Sequence, residues 1–347
     1  MIRAFAIAVC SCAWAGWAGA GEKSGEPPKA TTLSDPTIRY VVPKKPYVVL
    51  RRGPIEAVIV DHRAVDDDVL PGHQAGYSGL AKLTHTQRKD NLFVPTYAGL
   101  NFEHIIDGTA HQDRDRLFEP RRWPMELRQI HPHIVELYQS PTPTYGVESC
   151  QRFELLDDGA LQLTIEVIPH KKAFRFGYLG LFWASYIHQP ENGGIHFLGW
   201  PSRLLPQNGG KPPAAPAQWI HSVSPAHGKW ATHLSAEDRR EFPRQEPFPL
   251  TLVFNLSDYR YAEPWYFGVS HGMALAFVFR KEDQVRFSQS PSGGGKGNPA
   301  WDFQFLIPDV QIKKRYQFVL RIVYLPYESP QQVQAAVARH LRDLNPR

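Results

Sequence analysis

Titratable side chains crowd two stretches of the chain. In residues 91–115, NLFVPTYAGLNFEHIIDGTAHQDRD, Glu103, His104, Asp107, His111 and Asp113 fall close together. In residues 174–199, FRFGYLGLFWASYIHQPENGGIHFLG, a long apolar run ends on a polar turn carrying His188, Glu191 and His196. A carboxylate beside an imidazole can do general acid and base work near neutral pH, because imidazole titrates there and the carboxylate fixes its tautomer. Glu103, His104, His188, Glu191 and His271 are therefore the candidate acids and bases. His271 has a second reading: it shares a face with Met273, Leu275 and Phe277, a pattern that favours a buried core histidine. The spacing H-x-x-D-x-x-x-H at His104, Asp107 and His111 offers three donors from which a divalent metal site could be built, against the plainer reading of a loop bonded to backbone. On a strand Glu103 and His104 should face opposite sides, so only one of them would line a given pocket.

Candidate substrate contacts accompany these groups. Tyr178, Phe182 and Tyr186 offer flat faces for the C–H side of a sugar ring, although aromatic residues on a strand also serve as plain core. Arg286 and Asp302 flank the loop SPSGGGKGNP. The forked donors of Arg286 could grip a carboxylate or sugar hydroxyls, or Arg286 and Asp302 could pair with each other. Tyr186, Arg286, Asp302 and His196 are the residues expected to touch a ligand. The glycine-rich loop is no phosphate cradle, since neither Ser nor Thr follows Lys296 and Pro299 blocks an immediate helix. No G-x-S-x-G elbow for a serine hydrolase occurs.

The elements that would position these residues are mostly strands. In the run 174–188, Leu179, Leu181, Trp183 and Ile187 point one way and Tyr178, Phe182, Tyr186 and His188 the other, with no charge between Arg175 and His188. Such a strand should be buried on both faces. The turn at 189–194 should reverse the chain so that residues 195–198 run back as its hairpin partner, gathering His188, Glu191 and His196 at one end. Strand-like runs recur at 47–51, 56–61, 123–130, 133–139, 147–156 and 160–168, and again at 250–255, 265–269, 272–280, 284–288, 301–307 and 316–324. Residues 61–90 read as a long surface loop, and the stretch through His221, His227 and His233 as part of a rim. Helix is expected only over 330–344, where Ser329 can cap, Pro330 suits the first turn, and Val333, Val337, His340, Leu341 and Leu344 recur on one face. The expected class is mainly β: an antiparallel sandwich, residues 46–347, with one C-terminal helix.

Composition bounds the rest. Arg3 followed by an apolar segment closing on Ala18-Gly19-Ala20 reads as a secretory signal over residues 1–20. A flexible leader, rich in Pro, Lys, Ser and Thr, should follow over 21–45. No later stretch approaches the ~18 apolar residues of a membrane span, so a periplasmic or extracellular protein is expected. Of three cysteines, Cys10 and Cys12 fall within the signal, which leaves Cys150 as a small buried hydrophobe. The formal charge of +5 is spread over scattered basic pairs that read as solvated strand ends. That pattern excludes a nucleic-acid stripe and is compatible with an anionic polysaccharide.

The stretches VESCQRFELLDDGALQLTIEVIP, GYLGLFWASYIHQPENGGIHFLG, VRFSQSPSGGG, PAWDFQFLIP and YQFVLRIVY, in this order, resemble the galactose-mutarotase-like supersandwich. Sugar epimerases, many polysaccharide lyases and domains of glycoside hydrolases share that fold. FVPTYAGLNFEHIIDG further resembles a group of exported bacterial proteins without an assigned activity. The resemblance implies a carbohydrate ligand. In the epimerases a histidine acid and a glutamate base act on the C1–O5 hemiacetal, but that pair does not map onto this chain, whose histidine context differs and which has no C-terminal glutamate motif. The expected function is carbohydrate chemistry by acid and base groups, as glycoside hydrolysis, lyase-type elimination or sugar isomerisation. A non-catalytic glycan-binding module or a structural envelope protein are the alternatives. No cofactor is expected beyond the metal option at His104, Asp107 and His111.

Overall fold

The computed structural model describes residues 30–205 and 215–346. The expected signal over 1–20 lies outside the described residues. In chain order the strands are β1 (Tyr47–Arg52), β2 (Ile55–Val60), β3 (Gly79–His85) and β4 (Leu100–Ile106), followed by two single-turn helices, α1 (Arg114–Leu117) and α2 (Glu119–Arg122). Next come β5 (Glu126–His131), β6 (Ile134–Gln139), β7 (Val147–Leu155), β8 (Leu161–Pro169), β9 (Leu179–Ser185), β10 (Ile195–Pro201), β11 (Gln218–Ser222) and β12 (Thr232–Ser235). The short α3 (Thr251–Phe254) precedes β13 (Leu256–Tyr261), β14 (Trp265–Ser270), β15 (Met273–Phe279), β16 (Arg286–Ser290), β17 (Ala300–Ile307), β18 (Tyr316–Pro326) and the one long helix, α4 (Pro330–Leu344).

Pairing arranges these strands in two leaves. The first runs β1-β2-β3-β4-β9-β17-β16-β12-β13 and the second β11-β10-β14-β15-β18-β8-β7-β6-β5, joined where β10 meets β13. Every pair is antiparallel except β12 with β13. The core between the leaves takes Leu179, Leu181, Trp183 and Ile187 from β9 and its continuation, Phe303 and Phe305 from β17, and Phe277, Leu320 and Ile165 from the other side. This is the antiparallel sandwich with a C-terminal helix that the alternation predicts. The opposite face of β9, with Tyr178, Phe182, Ala184 and Tyr186, is buried in a second cluster under Phe242, Phe248 and Val253. A strand apolar on both faces thus lies at the centre of its leaf with a loop folded over its outer side.

The chain after β9 departs from the expected hairpin. The neighbours of β9 are β4 and β17, so neither edge is open for a return strand. Residues 189–194 instead carry the chain across to the second leaf, where β10 pairs with β11, β13 and β14. The region 61–90 is also more ordered than a surface loop, because Leu80 and Leu83 reach the main core from β3. The run 250–255 forms the α3 turn rather than a strand and contributes Val253 to the lid over the outer face. His233 is not part of a rim. It is fully buried in β12, where Ser257 Oγ lies 2.5 Å and Gln289 Nε2 3.1 Å from its ring nitrogens.

Two outer coverings complete the fold. Helix α4 carries Val333 and Val337 onto Trp265, Phe267, Ala274 and Ala276 of the second leaf, with Ser329 capping it through a bond from Gln332 N–H. The leader is not loose from residue 30 onward. Thr31 and Thr32 donate to Glu166 and Glu136 at 2.6 Å, and Val41 bridges to Gln129. Glu136 and Glu166 are fully buried, so these hydroxyls supply bonds that buried polar groups require. Cys150 lies in the same place, buried as expected, with its thiol pushed well up, first by burial and then by Glu136.

Candidate functional site

Because residues 189–194 leave one leaf and join the other, they cross the end of the sandwich, and a pocket of about 550 Å³ opens there. His188, Gln189 and His271 line it together with Lys82, Lys89 and Asn91. The volume falls within the ~300–1,000 Å³ usual for small-ligand sites. His188 reaches it as the last outward residue of the β9 run, its main-chain N–H bonded to Leu92 at 3.0 Å and its Nδ1 buried without a hydrogen-bond partner.

His271 arrives from the turn between β14 and β15. It is not the buried core residue that its neighbours Met273, Leu275 and Phe277 suggest. It is exposed, at φ +51° beside Gly272 at φ +74°, because the strand alternation stops at Met273. A left-handed backbone costs a residue with a β-carbon about 1–2 kcal/mol. Glu191 holds it there: one oxygen lies 3.0 Å from His271 Nδ1 and the other accepts the His271 main-chain N–H at 2.7 Å. Partial burial pushes the Glu191 carboxyl up, but the His271 amide, its own amide and the His271 ring outweigh that, so it lies below its ordinary value. The carboxylate fixes the proton on Nδ1 and leaves Nε2 as the basic nitrogen.

The cations of the pocket differ in how they are neutralised. Lys82 lies 3.1 Å from Glu56 and Arg88 2.8 Å from Asp90. Lys89 has no hydrogen-bond or ion-pair partner among the described residues.

Glu103, Tyr186 and Asp302 occupy the outer face of the first leaf, away from this pocket. A bulge between Phe102 and His104 places two residues of β4 opposite one of β9. Glu103 and His104 therefore do not face opposite sides: both leave the main core, and His104 Nε2 lies 3.7 Å from Glu103 Oε2. Arg121, carried by α2, pairs with Glu103 and donates to the Tyr186 hydroxyl at 2.9 Å, and that hydroxyl donates to Glu103 at 2.5 Å. The guanidinium lies over Phe118 at 4.4 Å and Tyr77 at 5.2 Å. Burial pushes the Tyr186 phenol up and pushes the Asp302 carboxyl well up, against the Ser185 N–H bond at 2.8 Å and the charge of Arg121. Glu103, Arg121 and Tyr186, bonded to one another, and Asp302, bonded to the Ser185 N–H, brace the outer face.

The metal option does not assemble. His104 bonds through Nδ1 to the Leu117 carbonyl and is held at about 4 by burial. Asp107 accepts from Thr109 and Arg175, and His111 packs edge-on against Tyr145. Among the described residues no group of three or more His, Cys, Asp or Glu could hold a metal ion. His196 is separated from His188 and Glu191 by the crossing. Its ring stacks on His221 at 4.3 Å and on Phe267 at 4.8 Å over the second leaf. Arg286 and Asp302 do not pair with each other. Arg286 Nε bonds to Asp238 at 3.2 Å instead.

Arg121, Asp238 and Lys89 carried no signal in the sequence. The pairs Arg121-Arg122 and Arg239-Arg240 read as solvated strand ends, yet Arg121 is enclosed by aromatic rings and Arg240 donates to Asp238 and to the Leu306 carbonyl at 3.0 Å.

No family model matches the chain, and no curated protein matches it. Among solved structures it is similar to an Escherichia coli K12 protein provisionally named an aldose 1-epimerase, with 11% identity and a TM-score of 0.46 over 81% of this chain and 99% of that one. It is also similar to a galactose 1-epimerase from Lactobacillus acidophilus NCFM, with 9% identity and a TM-score of 0.38 over 81% and 98%. A heparan sulfate lyase, HepC from Pedobacter heparinus, follows with 7% identity and a TM-score of 0.37 over 83% of this chain and 37% of that one. At these identities and TM-scores the similarities carry no residue role and no substrate.

Proposed function

We propose that this is an exported carbohydrate-acting protein that takes an anionic saccharide into the pocket between His188 and His271 and acts on it by acid and base catalysis. The observation that carries this reading is His271, on the wall of a pocket of suitable size, with its ring and its main-chain N–H both bonded to the Glu191 carboxylate. A carboxylate bonded to the ring of a histidine and to the same residue's main-chain N–H orients a base. Lys89, without an acidic partner, is suited to a uronate carboxylate, and its charge would stabilise negative charge developing on the adjacent carbon.

Elimination from a uronate fits these groups. His271 Nε2 takes the proton from the carbon beside the carboxylate, the electron pair forms a carbon–carbon double bond, and the glycosidic oxygen leaves with a proton from His188. Hydrolysis would call on two free carboxylates, and of the two that line this pocket, Asp68 and Asp90, Asp90 is already paired with Arg88.

The test is incubation of residues 21–347 with uronate-containing and neutral polysaccharides, following ultraviolet absorbance of unsaturated uronate and new reducing ends. Absorbance gained from a uronate polymer supports elimination. Reducing ends without absorbance would replace it by hydrolysis, and binding without any product would leave a glycan-binding module.

A further inference from the structure

We infer that the chain carries a second, separate anion site, an arginine-built pocket on the outer face of the first leaf that takes a sulfate or phosphate group. The pocket, of about 470 Å³, shares no lining residue with the histidine pocket. Arg239, Arg240, Arg244, Arg260 and Arg286 line it with Asp238 and Glu241, and Glu246 pairs with Arg244 at 2.7 Å, so the guanidiniums outnumber the carboxylates beside them.

The acid that matters most is already committed. Asp238 accepts from Arg240 Nε and Nη2 at 3.0 Å and from Arg286 Nε at 3.2 Å. One carboxylate shared by two guanidiniums leaves the pocket short of negative charge.

Arg286 shows where the missing charge belongs. Its side chain is only 4% exposed, under the ring of Phe242 at 4.9 Å. Nε goes to Asp238 and Nη2 to the Arg240 carbonyl at 3.1 Å, while Nη1 makes no hydrogen bond among the described residues. A buried guanidinium with a free donor on a pocket wall is costly unless an acceptor arrives. Arg260 adds a second incomplete fork: its Nη1 donates to the Asp238 carbonyl at 3.1 Å, and burial and the nearby Arg239 push its pKa down. Planar forks of this kind match the oxygens of a tetrahedral oxyanion two at a time, and several of them together suit a doubly charged group. Leu234, Phe254 and Leu256 form an apolar wall beside the arginines, enough to seat the carbon skeleton of an ester.

The same chemistry can arrive as a free ion or as an ester on a saccharide, and one experiment separates the two. The full chain is titrated calorimetrically with sodium sulfate and with sodium phosphate at constant ionic strength, then with a sulfated oligosaccharide and its unsulfated parent. Saturable sulfate binding is expected, with phosphate competing. Arg260→Gln and Arg244→Gln should each weaken it about tenfold, the loss of one charge-assisted contact, while Lys172→Gln, at an exposed residue that does not line the pocket, leaves it unchanged. Tighter binding of the sulfated oligosaccharide than of the ion, lost in Arg260→Gln, identifies an ester as the ligand. Equal or weaker binding identifies the free ion. The inference is overturned if neither ion gives saturable heat, or if the double variant Arg244→Gln, Arg260→Gln keeps the parent melting temperature and still binds as the parent does.

Discussion

Glu191 accepts two bonds from His271, 3.0 Å from the ring and 2.7 Å from the main chain, and the two contacts make different contributions. The main-chain bond holds a left-handed turn that an amide oxygen could hold almost as well. The ring contact requires an anion to favour the protonated imidazole. Glu191→Gln should therefore keep the turn and the melting temperature while turnover of an identified saccharide falls about a hundredfold, the scale of a lost general base. His271→Ala should fall as far with the fold intact. An unchanged rate in both variants would remove the dyad from the reaction. That His271 belongs to this pair was hidden in the sequence. The alternation through Met273, Leu275 and Phe277 runs naturally back to residue 271, and only the turn at Gly272 takes it off the strand.

At the scale of the element, the register of β9 was legible and its surroundings were not. Its two apolar faces could be read residue by residue, because a period of two admits one assignment of sides. Where the next strand goes depends on which edges are already taken. With β4 and β17 on either side of β9, β10 had to cross, and His196 left the site with it. The bulge in β4 has the same character, since one extra residue changes which face Glu103 occupies and nothing local announces it. Helix α4, by contrast, was legible to its ends, because its signals lie within one turn of its own termini. Ser329→Ala removes the cap that accepts from Gln332 N–H at 3.2 Å and should cost about 1 kcal/mol in chemical denaturation. A change below a few tenths would mean that docking on Trp265 and Phe267 fixes the helix end without the cap.

Over the whole molecule, burial of histidines sets how the fold responds to acid. Burial holds His104 at about 4 and His233 at about 3, and burial with the charge of His221 holds His196 at about 4. In the unfolded chain imidazole titrates near 6.5. Between that value and the folded ones the unfolded chain binds protons that the fold refuses, so stability is lost as pH falls through this window, by ~1.4 kcal/mol per unit for each such residue. Asp283, raised to about 6 by burial, and Asp302, raised further, oppose this, since their contribution is largest in acid and fades as pH rises. Three histidines outweigh two acids. The denaturation midpoint should fall from pH 7 to pH 4.5, and His233→Gln should flatten the slope; a midpoint that rises on acidification would show the acids in control. The sequence by itself determined the strand alternation, the two-faced burial of β9, the mainly β class and the terminal helix, because each follows from side-chain period and from signals a few residues apart. Only the tertiary structure decided that His188 and His271 share one pocket with Glu191 bonded behind His271, that Glu103 pairs with Arg121, and that Arg286 reaches the Asp238 carboxylate. Those meetings join residues tens of positions apart, and they are set by strand order and by which edges remain open, neither of which is carried by local spacing.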